Sequence, residues 1–206
     1  MFITFEGGEG CGKSTHSRRL KEYLESLGHK VVLTREPGGT LLGEDIRKIL
    51  LSPRNTLSHE AEILLFAADR IEHVEKVIKP ALKEGKTVIS DRFIDSTTAY
   101  QIGGRKLAED QVRYLNMISS QGLTPDLTFI LETSVKIGLE RATRGSTPAD
   151  RFEKEDLAFH ERVRKMYLEI AEENPERVKV INTERPVDEV QKEIREIVGK
   201  VLSIKQ

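Results

Sequence analysis

Short apolar runs alternate along the chain with longer stretches in which apolar residues recur at helical spacing. The short runs are nearly continuous and rich in Val, Ile, Leu, Phe and Thr, as strands buried on both faces are. They predict five strands, at Met1 to Glu6, Lys30 to Arg35, Thr87 to Ser90, Leu127 to Glu132 and Val178 to Asn182.

The stretches between the strands predict helices, at residues 13–27, 41–51, 58–84, 108–120, 134–143, 156–174 and 187–204. Gly28, Gly85 and Gly122 stand where a helix end favours a left-handed residue. Strands that alternate with helices imply a parallel sheet with crossover connections. We therefore expect an α/β protein with three layers, α/β/α, forming a single domain over residues 1–206. In such folds ligands bind beyond the carboxyl ends of the strands.

Composition narrows the possible function classes. The 206 residues are 37% hydrophobic and 33% charged, with a formal net charge of -1, which is typical of a folded globular protein without a basic field for nucleic acid. The longest apolar run, Ile63 to Ala68, is far shorter than the roughly 20 residues of a membrane span. A single cysteine, Cys11, and the lack of a charged, apolar leader predict a reducing, cytoplasmic location.

A phosphate-binding loop follows the first predicted strand. The segment Gly7 to Ser14 fits Gly-x-x-x-x-Gly-Lys-[Ser/Thr] and leads directly into a helix. Its backbone N–H groups can converge on phosphate oxygens, Lys13 can reach the outer phosphates, and Ser14 can ligate Mg²⁺. A chance glycine-rich turn is the alternative, but the flanking strand and helix favour a P-loop NTPase fold that binds ATP. The predicted nucleotide-binding residues are Gly7, Gly8, Glu9, Gly10, Cys11, Gly12, Lys13, Ser14 and Thr15, with Cys11 a space-filling residue.

Asp91 and Arg92 follow the third predicted strand, at the same edge as the phosphate loop. Asp91 can hold Mg²⁺ or its waters, and Arg92 can bind a second phosphate group. A structural ion pair between the two neighbours is the alternative.

The predicted helix 58–84 places Phe66 and Arg70 on one face, where they could stack on a base and bond its edge. Its apolar stripe predicts the core-facing side as Leu64, Ala67, Ile71, Val74 and Ile78. From the helix pattern alone, Phe66 is better explained as part of a broad core face.

A Gly/Ser/Pro-containing connector at about 142–153 is flanked or crossed by Arg141, Arg144 and Arg151. Such a segment is either a solvated loop or a mobile lid that brings positive charge over a transferring phosphate. The residues alone leave both readings open.

Taken together, the motifs resemble those of the thymidylate kinases, and the resemblance extends over essentially the whole chain. It is carried by Phe5 to Thr15, Thr34 to Thr40, Phe66 to Arg70, Asp91 to Phe93 with Ser96 to Gln101, and Asp150 to Glu153. The Glu-Pro-Gly-Gly-Thr and Ser-Thr-x-Ala-Tyr-Gln stretches are the most specific. The resemblance implies transfer of phosphate from ATP, with Mg²⁺, to dTMP.

The resemblance also implies a base pocket, which overturns the core reading of Phe66. Phe66 would stack on thymine and Arg70 would bond its edge. Thr97 and Gln101 would complete the pocket, and Tyr100 would crowd the 2' position of the sugar.

The same resemblance assigns the acceptor phosphate to Arg92, helped by Arg35 and by the turn that contains Glu36 and Pro37. Glu9 would lie near the 3'-hydroxyl of the sugar.

Residues 8–11 of the phosphate loop contain no basic side chain. The sequence therefore resembles the form of the family in which the lid supplies the arginine. Arg144 is the first choice for neutralising the transferred group, with Arg141 and Arg151 behind it, and Lys13 and Arg92 complete the predicted catalytic set. A homodimer is implied, although no helix face indicates its interface. A kinase for another nucleoside monophosphate and a non-catalytic nucleotide switch are the competing functions.

Overall fold

Five parallel strands form one sheet in the computed structural model of the chain, which describes residues 1–144 and 149–202. The strands are β1 Phe2–Glu6, β2 Val31–Arg35, β3 Thr87–Asp91, β4 Leu127–Glu132 and β5 Val178–Asn182. They lie in the order β2-β3-β1-β4-β5. Each predicted strand is present within one residue of its expected ends.

Helices connect the strands and cover both faces of the sheet. They are α1 Lys13–Ser26, α2 Leu41–Leu51, α3 His59–His73, α4 Lys79–Lys83, α5 Ile94–Thr97, α6 Glu109–Ser120, α7 Val135–Thr143, α8 Leu157–Glu173 and α9 Val187–Leu202. A π-helical turn, Val74–Ile78, joins α3 to α4, so the predicted helix 58–84 is nearly continuous. A second π-helical segment, Thr98–Gly104, continues α5.

Alternating strand residues enter different layers, as the two-residue period of a strand requires. Phe5 and Phe129 pack with α1 and α9 on one face of the sheet, whereas Phe2 and Ile130 pack on the other face. The predicted three-layer arrangement of helices on both faces of a parallel sheet is therefore confirmed.

The predicted core stripe of α3 is wrong at two positions. Leu64 and Ile71 are 55% and 39% exposed, whereas Ala67, Val74 and Ile78 are buried as expected. The buried face of α3 is instead largely polar, and its charged or polar members are Glu62, Asp69, Arg70 and His73. Each of these side chains makes a hydrogen bond to a residue outside α3, so a rule based on hydrophobicity alone selected the wrong face.

The segment from α5 through Gly104 was not predicted to be helical. Its first turn, Ile94–Thr97, is mostly polar and shows no apolar period. Tertiary packing compensates, because Ala99 and Tyr100 pack against Phe159, Val163 and Tyr167 of α8.

The carboxyl ends of β1, β2 and β3 meet at one edge of the sheet. Phe5 and Arg35 are each in register with Asp91. The phosphate loop, the turn after β2 and Asp91-Arg92 therefore come together there. Within the described residues, no helix combines the length and apolar character needed to cross a bilayer.

Candidate active site

The phosphate loop lies between β1 and α1 and curls around the side chain of Lys13. The ammonium Nζ donates to the carbonyl of Gly8 at 2.6 Å and to that of Gly7 at 3.2 Å, and the side chain is almost fully buried. Gly12, at the N-terminus of α1, has φ of 95°. Cys11 is buried in the core cluster beneath the loop, as expected of a space-filling residue. The loop thus presents a cation and a free helix N-terminus, which together favour anions.

Helix α7 fixes this loop from the side. A Cβ atom added at Gly10 would lie 1.9 Å from the carbonyl oxygen of Gly138, and one added at Gly138 would lie 2.4 Å from that of Glu9. Both contacts are with backbone, so neither neighbour can rotate away. The loop and α7 therefore approach each other as closely as two backbones without side chains can.

Ser14 and Asp91, the two predicted Mg²⁺ ligands, are adjacent. The Ser14 hydroxyl donates to Asp91 Oδ2 at 2.7 Å. A hydroxyl and a carboxylate at the mouth of a phosphate loop are oxygen ligands of the kind that Mg²⁺ uses together with water and phosphate oxygens. The residues present fit that ion.

Two cavities open at this edge. The loop cavity is lined by Glu9, Gly10, Gly12, Lys13, Ser14, Thr15, Arg35, Glu36, Arg47, Asp91, Arg92 and Arg141. The inner cavity is lined by Glu9, Glu36, Pro37, Arg47, Leu51, Phe66, Arg70, Arg92, Ser96, Thr97, Tyr100, Gln101, Asp150 and Phe152. Their common wall consists of Glu9, Glu36, Arg47 and Arg92.

Arg92 is held rigidly in that wall. Its guanidinium donates to Glu9 at 2.9 Å, to the Tyr100 hydroxyl at 3.1 Å and to Ser96 Oγ at 3.1 Å. Among the described residues its ion-pair partner is Glu9 rather than Asp91. Burial tends to raise the pKa of Glu9, but the charges of Arg92 and Lys13 and the Tyr100 hydrogen bond lower it to about 2. Glu9 is therefore a fixed carboxylate beside a fixed cation.

The backbone of Arg92 is left-handed, with φ of 75°, and a buried carboxyl supports it. Glu6 accepts from the amide of Phe93 at 2.7 Å and also bonds the hydroxyls of Ser96 and Tyr167. Burial and the nearby charge of Asp95 raise the pKa of Glu6 to about 8. A neutral carboxyl therefore anchors the turn that aims Arg92.

Arg70 is the hub of the inner cavity. Its Nε donates to Glu36 Oε2 at 2.8 Å, and Glu36 also bonds His73 at 2.9 Å. Its Nη2 donates to the carbonyl of Phe93 at 3.0 Å and to Thr97 Oγ1 at 2.8 Å. Glu36 is thus engaged with α3, so its side chain orients Arg70.

The other predicted base-pocket residues also reach the inner cavity. Phe66 is half-buried and its ring centroid lies 6.0 Å from that of Phe152. Gln101 is fully buried, and its amide nitrogen donates to Glu62 at 2.7 Å. Its carbonyl oxygen Oε1 is buried without a hydrogen-bond partner in the described part of the chain. The cavity is therefore lined by an aromatic ring, a guanidinium and a glutamine whose acceptor oxygen is unsatisfied.

A family model described as thymidylate kinase matches residues 5–194. The chain belongs to the thymidylate kinase family. A thymidylate kinase of Desulfovibrio desulfuricans is 49% identical, covering 92% of this chain and 91% of its own. One of Gloeobacter violaceus is 47% identical, covering 100% of this chain and 98% of its own. The crystal structure of thymidylate kinase from Ehrlichia chaffeensis is 40% identical, with a TM-score of 0.80 over 96% of this chain and 97% of its own. The fold and family inferred from the motifs are confirmed.

The three arginines expected at the lid of this thymidylate kinase family member lie in different surroundings. Arg141 lines the loop cavity and donates to the carbonyl of Thr183 at 3.2 Å. Arg144, just after α7, is 77% exposed, and residues 145–148 of the predicted lid lie outside the described residues. Arg151 is instead engaged with the protein itself, donating to buried Glu62 at 2.5 Å and to the carbonyl of Leu50 at 2.9 Å.

Arg35, predicted to help with the acceptor phosphate, is directed to the rim of the loop cavity. Its guanidinium is half-exposed, and Nη2 donates to both carboxylate oxygens of Glu44 at 3.0 and 3.1 Å. It reaches a phosphate only by exchanging this surface pair, which costs little.

Sequence reasoning missed several site residues of this thymidylate kinase family member. Arg47 belongs to the wall between the cavities, and Asn116 accepts from Arg70 at 3.0 Å. Nothing in their helical surroundings marked them. Gly138 did carry a signal, because an isolated glycine inside a helical pattern often marks a close backbone contact.

Proposed function

We propose that this chain transfers the γ-phosphoryl group of ATP to the phosphate of dTMP, giving dTDP and ADP. The single observation that carries the proposal is the wall shared by the two cavities. A donor on the phosphate loop and an acceptor in the inner cavity would meet across Arg92. Such an arrangement supplies the alignment and charge neutralisation that phosphoryl transfer chiefly requires.

The polar groups of the inner cavity favour a pyrimidine that carries a carbonyl oxygen next to a ring N–H. Arg70 has five N–H groups, and hydrogen bonds to Glu36, Asn116, Phe93 and Thr97 within the described chain use four of them. The remaining N–H can donate to a base carbonyl. The unsatisfied Oε1 of Gln101 can accept from an imino N–H. Thymine presents both groups side by side, and Phe66 supplies a ring for stacking.

Each charged residue then has a proposed task. Lys13 leaves the loop carbonyls to bind the outer phosphates of ATP, and Arg92 binds the phosphate of dTMP. Mg²⁺, when bound at Ser14 and Asp91, supplies positive charge to the donor phosphates. An anionic phosphate oxygen of dTMP attacks the γ-phosphorus and ADP leaves, so no strong general base is needed.

We assign the neutralisation of charge on the transferred group to the arginines near α7. Arg144 remains our first choice because its side chain is 77% exposed and its ion pair with Glu140 is a long surface contact of 4.0 Å, and Arg141 already lines the loop cavity. Arg151 is a weaker candidate, since its guanidinium is engaged with a buried carboxylate.

ADP release measured with ATP and a panel of dTMP, dUMP, CMP, GMP and AMP tests the proposal. We expect efficient turnover with dTMP and at least tenfold lower kcat/KM with each of the cytosine and purine nucleotides. Equal turnover of another monophosphate would identify a different kinase. Binding without turnover for every acceptor would indicate a nucleotide switch.

We also propose a homodimer formed through α2, α3 and α6, which pack side by side with α3 in the middle. The face they expose is unusually apolar for a surface. Its exposed members are Leu42, Ile49, Leu64, Ile71, Tyr114, Met117 and Ile118. A dimer formed there explains why Leu64 and Ile71 of α3 face outward.

Analytical ultracentrifugation tests the dimer. We expect the wild type at twice the mass of one chain and Met117→Glu at the monomer mass. Leu157→Glu is the matched control, because Leu157 is equally exposed but lies on α8. A monomeric wild type would reject the interface. The cytoplasmic location and the lack of a nucleic-acid partner stay predictions.

A further inference from the structure

A buried carboxylate, Glu62 of α3, lies behind the inner cavity and is fully shielded from solvent. It accepts from Gln101 Nε2 at 2.7 Å, from Arg105 Nε and Nη2 at 3.0 and 3.1 Å, and from Arg151 Nη1 at 2.5 Å. Arg105 is further paired with Glu155 at 2.5 Å. Glu62 is therefore the centre of a cluster that includes one residue of the base pocket.

The carboxyl of Glu62 is ionised. Burial alone would raise its pKa, but the hydrogen bonds from Arg105 and Gln101 and the charges of Arg105 and Arg151 lower the pKa below its ordinary value. An ionised carboxylate has only acceptor oxygens. The side chain of Gln101 must therefore turn its NH₂ group toward Glu62.

This requirement fixes the opposite end of the Gln101 amide. Its Oε1 is left as a buried acceptor without a partner in the described residues, at a side chain that lines the inner cavity. A buried acceptor without a donor is costly, so a ligand that supplies an N–H there is favoured. Thymine carries a donor at N3, whereas N3 of cytosine is an acceptor and would meet Oε1 with repulsion.

We propose that Glu62 is a positioning residue that fixes the orientation of the Gln101 amide. Resting on the thymidylate kinase function above, this orientation sets the preference for a base with an N–H at N3, such as thymine, over cytosine. Glu62 does this without touching the substrate. Arg105 and Arg151 supply the charge that keeps it an acceptor.

The test measures kcat and KM for dTMP and dCMP at saturating ATP in the wild type and in Glu62→Gln. A glutamine at position 62 can donate as well as accept, so Gln101 can turn its NH₂ group into the cavity. We expect the ratio of kcat/KM for dTMP to that for dCMP to fall about 10- to 100-fold, mainly through a higher KM for dTMP. An unchanged ratio overturns the proposal.

Two further variants keep the result interpretable. Glu155→Gln removes the outer partner of Arg105 and leaves Glu62 and Gln101 untouched, so the ratio should stay within twofold of wild type. Glu62→Asp preserves the charge for both arginines but withdraws the carboxylate from Gln101 by one methylene group. It should lower the ratio even if Glu62→Gln does not fold, and an unchanged ratio in Glu62→Asp also overturns the proposal.

A double-mutant cycle separates positioning from a general structural effect. If Glu62 acts through Gln101, Glu62→Gln combined with Gln101→Met should lower the ratio no further than Gln101→Met alone. Additive losses would refute action through Gln101. A wild type that fails to turn over dTMP would reject the proposed function itself, which is a separate outcome.

Discussion

The contact between Gly138 of α7 and the phosphate loop makes a sharp prediction for Gly138→Ala. The added methyl group would lie 2.4 Å from the carbonyl oxygen of Glu9, against an ordinary contact of at least 3.4 Å. The loop and the helix must therefore separate by about 1 Å.

The expected loss is larger in catalysis than in stability. A displacement of about 1 Å in a site that works by alignment costs roughly 100-fold in rate. Overpacking costs about 1–3 kcal/mol, but alanine is favoured over glycine inside a helix by about 1 kcal/mol. The net loss in the free energy of unfolding is therefore about 0–2 kcal/mol, and the variant should fold.

Initial rates of ADP release with varied ATP and dTMP measure kcat/KM, and denaturant unfolding measures stability. Lys136→Ala is the control, because Lys136 is an exposed residue of the same helix. It should keep wild-type kinetics. A folded Gly138→Ala protein with kcat/KM within threefold of wild type would show that the loop position does not limit catalysis.

Three other predictions follow from the site. Lys13→Ala and Arg92→Ala should each lower kcat/KM by at least 100-fold in steady-state assays, the first mainly through ATP and the second through dTMP, and wild-type kinetics in both would reject the assignment. Arg144→Ala should lower kcat more than it weakens nucleotide binding measured by calorimetry, because its contact forms mainly in the transition state; an unchanged kcat would transfer that task to Arg141. The pKa of Glu6 is about 8, above its ordinary 4.5. Protonated Glu6 therefore makes its full contribution to the free energy of unfolding below pH 4.5, and that contribution is lost as the pH rises through 8. The unfolding free energy of Glu6→Gln should therefore improve relative to wild type between pH 5 and pH 9, and a constant difference would contradict the raised pKa.

The sheet and the phosphate loop could be predicted from the sequence because local patterns specify them. The composition of an apolar run such as Leu127–Glu132 is enough to predict a strand. The loop motif places its glycines, lysine and serine at fixed intervals, so neighbours in sequence are also neighbours in space.

The inner cavity depends on contacts between distant segments, which a single sequence does not reveal. Glu62 meets Gln101 and Arg151 across 39 and 89 positions. The helical pattern of α3 was misleading for the same reason, since its polar face is buried by partners elsewhere and Leu64 is left outside. Family resemblance supplied Phe66 and Gln101, but it carried no information about Glu62 or Asn116 behind them.

The wall of Glu9, Glu36, Arg47 and Arg92 belongs to both cavities, so we expect binding of one substrate to affect binding of the other. Arg92 is paired with Glu9 at 2.9 Å, so the phosphate of dTMP must compete with that carboxylate. If the first substrate rearranges this wall, the rearrangement is already in place when the second substrate binds. By thermodynamic linkage, the factor by which ATP changes the affinity for dTMP must equal the factor by which dTMP changes the affinity for ATP.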